Sequence, residues 1–313
     1  MEKLTLHITN GSHLTKQLKE LDFAGEMLTW EEMLCEGPTF VDIDSEAFFK
    51  TRKAFFASIY QLELDVYTFK NEIKKLNRFE NYSEIILWFE YDLFCHINMI
   101  AVISLIQQKK IKLPIYLVCS GRIHGNKNLL GLSELSSEQL GRHYQDRILL
   151  GDDDIKLAMS LWQIYCGIDH NLFKPFIVQS SSFIYLSNCL KAHLERFPDS
   201  KSGLNILEKN ILEIVKNNTI KSEHHLLGYA LNYQGYYGFG DIQLLRIIDK
   251  LSLFFDVDKT GYRLNRKGHE ALLNQHNFYP EIKNIMTYGG VSSADFQFSK
   301  THNKLIKTAS NAY

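Results

Sequence analysis

The apolar run EIILWFE at residues 84–90 decides the fold, because polar residues flank it and it is too short for a typical helix. A similar run, PIYLVC at residues 114–119, follows it, and a segment of helical pattern at residues 93–108 lies between the two. Strands that are buried on both faces of a parallel sheet appear as continuous apolar runs of this kind. The two runs therefore predict neighbouring parallel strands joined by a helix.

The N-terminal segment fits the same plan. Residues 4–9 (LTLHIT) alternate in polarity and predict a strand, and residues 26–30 predict a second one. Asn10-Gly11-Ser12 reads as a turn between them, with Ser12 as the expected N-cap of a short amphipathic helix. The resulting order of strands and helices predicts a small, mostly parallel sheet with helices on both faces.

The rest of the chain is predicted to be helical. Three helices at 204–217, 222–232 and 241–251 precede a possible two-stranded wing at 254–264, an order that resembles a winged-helix unit. We expect an α/β domain at residues 1–130, a helical region at 131–200, and a winged-helix-like domain with a tail at 201–313. The Gly289-Gly290 pair lets the tail turn sharply, so the tail could pack back across the main domain.

Charge and cysteine usage limit the possible partners. The net charge is −1, and residues 204–276 hold nine Lys/Arg against eight Asp/Glu, a net of +1. A DNA-binding face is normally clearly basic, so nucleic acid is disfavoured as a partner. The five cysteines form no CxxC pair, so no metal site is predicted from thiolates, and free thiols in a cytoplasmic protein are expected. No apolar stretch approaches the ~20 residues that a membrane span requires.

Polar residues follow each predicted strand, and the carboxyl ends of parallel strands meet at one edge, where ligands bind in open α/β sheets. The expected catalytic residues are His7, Glu36, Glu90 and Asp92. The expected ligand-binding residues are Thr9, Asn10, Gly11, Ser12, Ser120 and Arg122, with His124 in the same loop as the last two. Amide groups and a helix start after Asn-Gly can hold an anion, and Arg122 could receive a phosphate or carboxylate.

Glu90 and Asp92 are open to two interpretations. Residues two apart in a strand point the same way, so the two carboxylates could bind Mg²⁺ or act as acid and base. Alternatively, Asp92 caps the helix that begins at Leu93. The sequence identifies no cofactor.

Three segments together resemble the bacterial domain-of-unknown-function family 1835. They are HITNG at residues 7–11, CEGP at residues 35–38, and LWFEYDLF at residues 87–94. The resemblance covers about the first 125 residues, and the Gly-Gly-Val tail is similar to the C-terminal part of the same proteins. The family usually has Asp where this chain has Ser12. The resemblance implies no reaction.

Three functions remain open at this point. The first is binding, with or without turnover, of a small anionic or nucleotide-like ligand at the strand edge. The second is DNA-binding regulation through the winged-helix-like unit, and the third is a non-catalytic interaction protein. The sequence leaves it undecided whether the chain is an enzyme.

Overall fold

A computed structural model describes residues 3–123, 125–126 and 128–308. It is a mixed α/β structure, as predicted, and its main sheet has five strands. These strands are β1 (Leu4–Asn10), β2 (Glu26–Trp30), β4 (Tyr82–Phe89), β5 (Ile115–Cys119) and β6 (Ile148–Leu149). Three further small sheets are formed by β3 (Gly37–Pro38), β7 (Phe255–Asp258), β8 (Gly261–Leu264), β9 (Thr287–Gly289), β10 (Val291–Ser292), β11 (Phe296–Ser299) and β12 (Lys304–Lys307).

Helices make up most of the remaining structure. In the first half they are α1 (Ser12–Glu20), α2 (Glu46–Phe55), α3 (Val66–Lys74), α4 (Leu93–Gln108), α5 (Ser137–Gln145) and α6 (Asp152–Cys166). In the second half they are α7 (Lys174–Ile177), α8 (Leu186–Glu195), α9 (Ile206–Asn217), α10 (Glu223–Tyr233), α11 (Asp241–Lys250), α12 (Arg266–Leu272) and α13 (Tyr279–Ile282). Among the described residues, no helix combines the length and apolarity that crossing a membrane requires.

The strand order of the main sheet is β2-β1-β4-β5-β6, and all pairings are parallel except that of β6 with β5. The predicted parallel sheet is therefore confirmed. The antiparallel edge strand β6 has only two residues, which is too short to give a periodic signal in the sequence.

Helices cover both faces of the sheet, as the alternation along β4 shows. Ile85, Leu87 and Phe89 belong to the large hydrophobic cluster that contains the side chains of α3 and α4. Ile86 and Trp88 point the other way, into a smaller cluster with the side chains of α1 and α5. Burial on both sides explains why this strand is an unbroken apolar run.

The three predicted segments share the large cluster, which contains residues from all of them. The tail packs back as expected, because β9 pairs in parallel with β3 and the Gly290 N–H donates to the Tyr165 carbonyl. Helices α9, α10 and α11 and the hairpin β7–β8 occur in the predicted order. Whether they form a winged-helix unit stays a prediction.

Candidate functional site at the carboxyl edge of the sheet

The strand order creates one crevice at the carboxyl edge of the sheet. In the sheet, β2 lies on one side of β1, and β4 lies on the other side. The connection from β1 to β2 therefore runs in one direction across the sheet, and the connection from β4 to β5 runs in the opposite direction. Such a switch point is where open α/β sheets bind ligands. Helix α1 begins directly after β1 and helix α4 begins shortly after β4, so two helix N-termini flank the crevice.

No side chain of the described residues caps the N-terminus of α1. Gly11 is the N-cap residue, with a positive φ of 98°, and the first turn holds no acidic residue. The prediction that Ser12 caps this helix is therefore wrong, because Ser12 is already the first helical residue and is exposed. The positive φ is the physical reason, since glycine adopts it without strain and carries no side chain to bond the helix start. This helix end retains its partial positive charge.

A cavity of 440 Å³, here called the β1–β2 cavity, lies beside this helix start. Its lining includes Asn10, Gly11, Trp30, Glu31, Met33 and Phe94. Trp30 is 1% exposed, and its indole N–H has no hydrogen-bond partner in the described structure. Trp30 was not among the predicted site residues, although its place at the end of β2 was a usable signal.

The N-terminus of α4 is closed, in contrast to that of α1. Asp92 Oδ1 accepts a hydrogen bond from the Cys95 N–H at 2.8 Å, so the capping interpretation of Asp92 is confirmed. The carbonyls of Tyr236 and Tyr237 accept from the N–H groups of Leu93 and Phe94 at 2.7 and 3.2 Å. The segment that follows α10 therefore covers this helix start and leaves it no free donors for an anion.

Glu90 and Asp92 do lie together, as their spacing predicted. One ligand atom from each of Glu90, Asp92 and Cys95 lies within 4.8 Å of the others. Burial, followed by the charge of Glu90, raises the pKa of Asp92 to about 7. Burial also raises the pKa of Glu90, whose carboxylate accepts from the Ser133 N–H at 3.4 Å. The pair favours proton or cation binding over anion binding.

Asn10 ties the crevice together through buried amide groups. Its Nδ2 donates to Cys95 Sγ at 3.1 Å, and its Oδ1 accepts from Asn98 Nδ2 at 2.8 Å. Asn98 also donates to the Glu32 carbonyl at 2.6 Å and accepts from the Leu34 N–H at 3.2 Å. This network fixes the end of β1 against α4, so Asn10 has a structural contact as well as a place in the cavity.

His7 and Thr9 lie inside the sheet and not at its edge. His7 is in the middle of β1, where Trp88 Nε1 donates to its Nδ1 at 3.0 Å and its Nε2 contacts the Ala24 carbonyl at 3.1 Å. Burial lowers the pKa of His7. Thr9 is fully buried and hydrogen-bonds Thr15 Oγ1 at 2.5 Å. The expectation that both line the edge is wrong, because their side chains point into the small cluster beneath α1.

Glu36 is 1% exposed and faces the C-terminal helices. Its carboxylate accepts from Tyr60, from Gln243 Nε2 at 3.3 Å and from Arg246 at 3.2 Å. These partners differ from those of Glu90, so the structure does not bring the two glutamates into one hydrogen-bonded group. No local pattern signals this contact, since Arg246 is 210 residues away from Glu36.

The loop after β5 places its two predicted residues differently. Ser120 is 1% exposed, and its hydroxyl has no partner in the described structure. Arg122 is exposed, and its N–H donates to the Tyr185 hydroxyl at 2.8 Å. His124 lies outside the described residues. Ser120 is therefore beside the edge, whereas the guanidinium of Arg122 is in solvent.

No protein-family model matches this chain, and no curated protein is significantly similar to it. The resemblance to family 1835 therefore stays a prediction.

Proposed function

We propose that this protein binds a small nucleotide-like ligand in the β1–β2 cavity, with an anionic group at the N-terminus of α1. The observation that carries the proposal is that the uncapped start of α1 borders a cavity at the switch point of the sheet. Helix N-termini of this kind bind phosphate through free N–H groups and the helix dipole.

The cavity fits the remainder of such a ligand. Its volume of 440 Å³ is within the usual range of small-molecule sites. Trp30, Met33 and Phe94 offer an apolar contact surface. Glu31 directly follows β2, the position from which an acidic side chain accepts hydrogen bonds from ribose hydroxyls in dinucleotide-binding folds.

The DNA-binding alternative is less well supported. Its expected recognition helix, α11, holds Gln243 and Arg246, and both side chains contact Glu36 in the α/β part of the molecule. Arg246 Nη1 also donates to Asn284 at 2.7 Å. A guanidinium that is engaged in this way is not available to phosphates. A non-catalytic interaction protein would have the carboxyl edge of its sheet filled by apolar side chains. The β1–β2 cavity at this edge does not agree with that expectation.

The test compares nucleotides with nucleosides. Adenosine, AMP, ADP and ribose 5-phosphate are screened by thermal shift, and any hit is measured by calorimetry. A ligand at 100 times its Kd stabilises the folded protein by ~2.7 kcal/mol. We expect the phosphorylated compounds to stabilise the protein and adenosine to have less effect.

The matched variants are Ser12→Asp and Ser12→Asn. An aspartate in the first turn stabilises the free helix by ~0.3–1 kcal/mol, yet it repels a ligand anion. We expect Ser12→Asp to lose phosphate binding while its unliganded melting temperature is maintained or raised, and Ser12→Asn to bind normally. The proposal fails if no phosphorylated compound shifts the wild type, or if Ser12→Asp binds as well as Ser12→Asn.

A further inference from the structure

A second group of side chains at the switch point has the chemistry of a metal site. Glu90, Asp92 and Cys95 each place one ligand atom within 4.8 Å of the other two. Around a tetrahedral zinc-type ion with bonds of ~2.0–2.3 Å, ligand atoms are roughly 3.5 Å apart. Small side-chain rotations would therefore be enough to bring the three atoms onto one ion.

The charges in this group have no counter-charge. Asp92 is 5% exposed and Glu90 is half-buried, and neither forms an ion pair in the part of the chain that the structure describes. The contacts of their carboxylates are with backbone N–H groups of Cys95 and Ser133. Buried carboxylates are normally paired with a cation, coordinate a metal or hold a proton, so two adjacent ones without an ion pair are suited to bind a proton or a cation.

Ser120 supplies an independent observation. Phe89 of β4 is registered opposite Cys119 of β5, so Glu90 and Ser120 each directly follow one of two paired strand ends. Ser120 is 1% exposed, and its hydroxyl is buried without a partner. An unpartnered hydroxyl at this edge of the sheet can bond a metal-bound water, which would satisfy it.

The sulfur of Cys95 determines the class of ion. It accepts the Asn10 Nδ2–H at 3.1 Å, and this donor would stabilise a thiolate as outer-shell groups do in metal sites. One thiolate with two carboxylates suits a borderline ion such as Zn²⁺ or Co²⁺ better than Mg²⁺, which takes only oxygen ligands. The absence of a CxxC pair, which argued against zinc from the sequence, does not apply to a site with a single thiolate.

We propose that Glu90, Asp92 and Cys95 bind one zinc-type divalent ion, with an open position toward a neighbouring cavity. That cavity has a volume of 620 Å³ and is lined by residues that include Tyr91, Glu134 and Gly238. Three protein ligands with one open position are the arrangement of catalytic zinc sites. The proposal does not depend on the ligand of the β1–β2 cavity.

The test uses Co²⁺ alone as the probe. Full-length protein is reduced, treated with a chelator, freed of both reagents and titrated with Co²⁺. We expect one equivalent to bind, with sulfur-to-cobalt charge-transfer absorption and intense visible bands of tetrahedral cobalt, and Zn²⁺ to displace it. Absence of the charge-transfer band in the wild type would overturn the proposal.

The variants test two of the three ligands separately. Cys95→Ser should lose the charge-transfer band, and Glu90→Gln should weaken Co²⁺ binding by about 10–100-fold or more, because even outer-shell changes have effects of that size. The matched control is Cys166→Ser, a half-buried thiol outside the group, which should keep the band. Circular dichroism of the metal-free variants confirms folding.

A band that persists in Cys95→Ser, or unchanged affinity in Glu90→Gln, would also overturn the proposal. Ser12→Asp should bind Co²⁺ normally, so failure of one proposal is distinguishable from failure of the other.

Discussion

A buried chain of hydrogen bonds requires two histidines to be neutral. Arg196 Nη2 donates to His193 Nδ1 at 2.6 Å, and His193 Nε2 donates to His170 Nδ1 at 2.8 Å. His170 Nε2 then donates to the Tyr165 carbonyl at 3.0 Å. Because the guanidinium can only donate, each imidazole has one accepting and one donating nitrogen. Protonation of either ring would remove an acceptor from the chain.

The consequence is a loss of stability in acid. Burial lowers the pKa of His170 to about 4, and burial together with the charge of Arg196 lowers the pKa of His193. In the unfolded chain the pKa of histidine is ~6.5. Since the folded value is the lower one, the unfolded state binds more protons, and stability that is complete above pH ~6.5 is lost as the pH falls toward ~4. At pH ~5 the loss from His170 alone is about 2 kcal/mol.

The assay is urea unfolding of wild type and His170→Gln at pH ~7.5 and pH ~5. Glutamine does not titrate, and its amide can still donate to the Tyr165 carbonyl. We expect the drop in unfolding free energy between the two pH values to be about 2 kcal/mol smaller in the variant than in the wild type. The comparison cancels any cost of the substitution that is independent of pH. The exposed His224→Gln on α10 is the control and should behave as the wild type does. An equal drop in wild type and His170→Gln would refute the reasoning.

Two further predictions concern packing and burial. Glu32 pairs with Arg52 at 2.8 Å, and both side chains are 0% exposed. Glu32→Gln should therefore lower the free energy of unfolding by about 3–5 kcal/mol, because the buried guanidinium loses its counter-charge. A loss under ~1 kcal/mol in urea unfolding, the size seen for exposed pairs, would contradict this. Gly238 has a φ of +67°, and a Cβ there would lie 2.1 Å from Asp92 Cγ. Gly238→Ala should therefore lower the melting temperature, because the added methyl group would clash with Asp92. The control Gly228→Ala on α10, where nothing lies within 4 Å, should raise it slightly; equal shifts would count against the packing argument.

Local patterns were sufficient for the core of the fold. The runs at residues 84–90 and 114–119 became β4 and β5, and Asp92 caps α4, as one interpretation of its position predicted. These features depend on neighbouring residues only, so the sequence contains their signal. The site was partly predictable for the same reason, since Glu90 and Asp92 are two residues apart and remain together.

Contacts between distant segments were not predictable. Glu36 binds Arg246, and β3 pairs with β9, across more than 200 residues of chain. The inward orientation of His7 also had no signal, because a strand that is buried on both faces can hold a hydrogen-bonded histidine on either side. In each case the partner lies on an element whose position depends on the whole packing.

The sequence by itself determined that helices begin after β1 and near the end of β4, because turns and capping residues act within a few positions. Only the tertiary structure decided which of these two helix starts is open. The segment containing Tyr236 and Tyr237 folds over α4 and takes its free N–H groups, whereas nothing caps α1 through a side chain. The difference arises because a helix start can bind an anion only where no distant part of the chain has already supplied the acceptors.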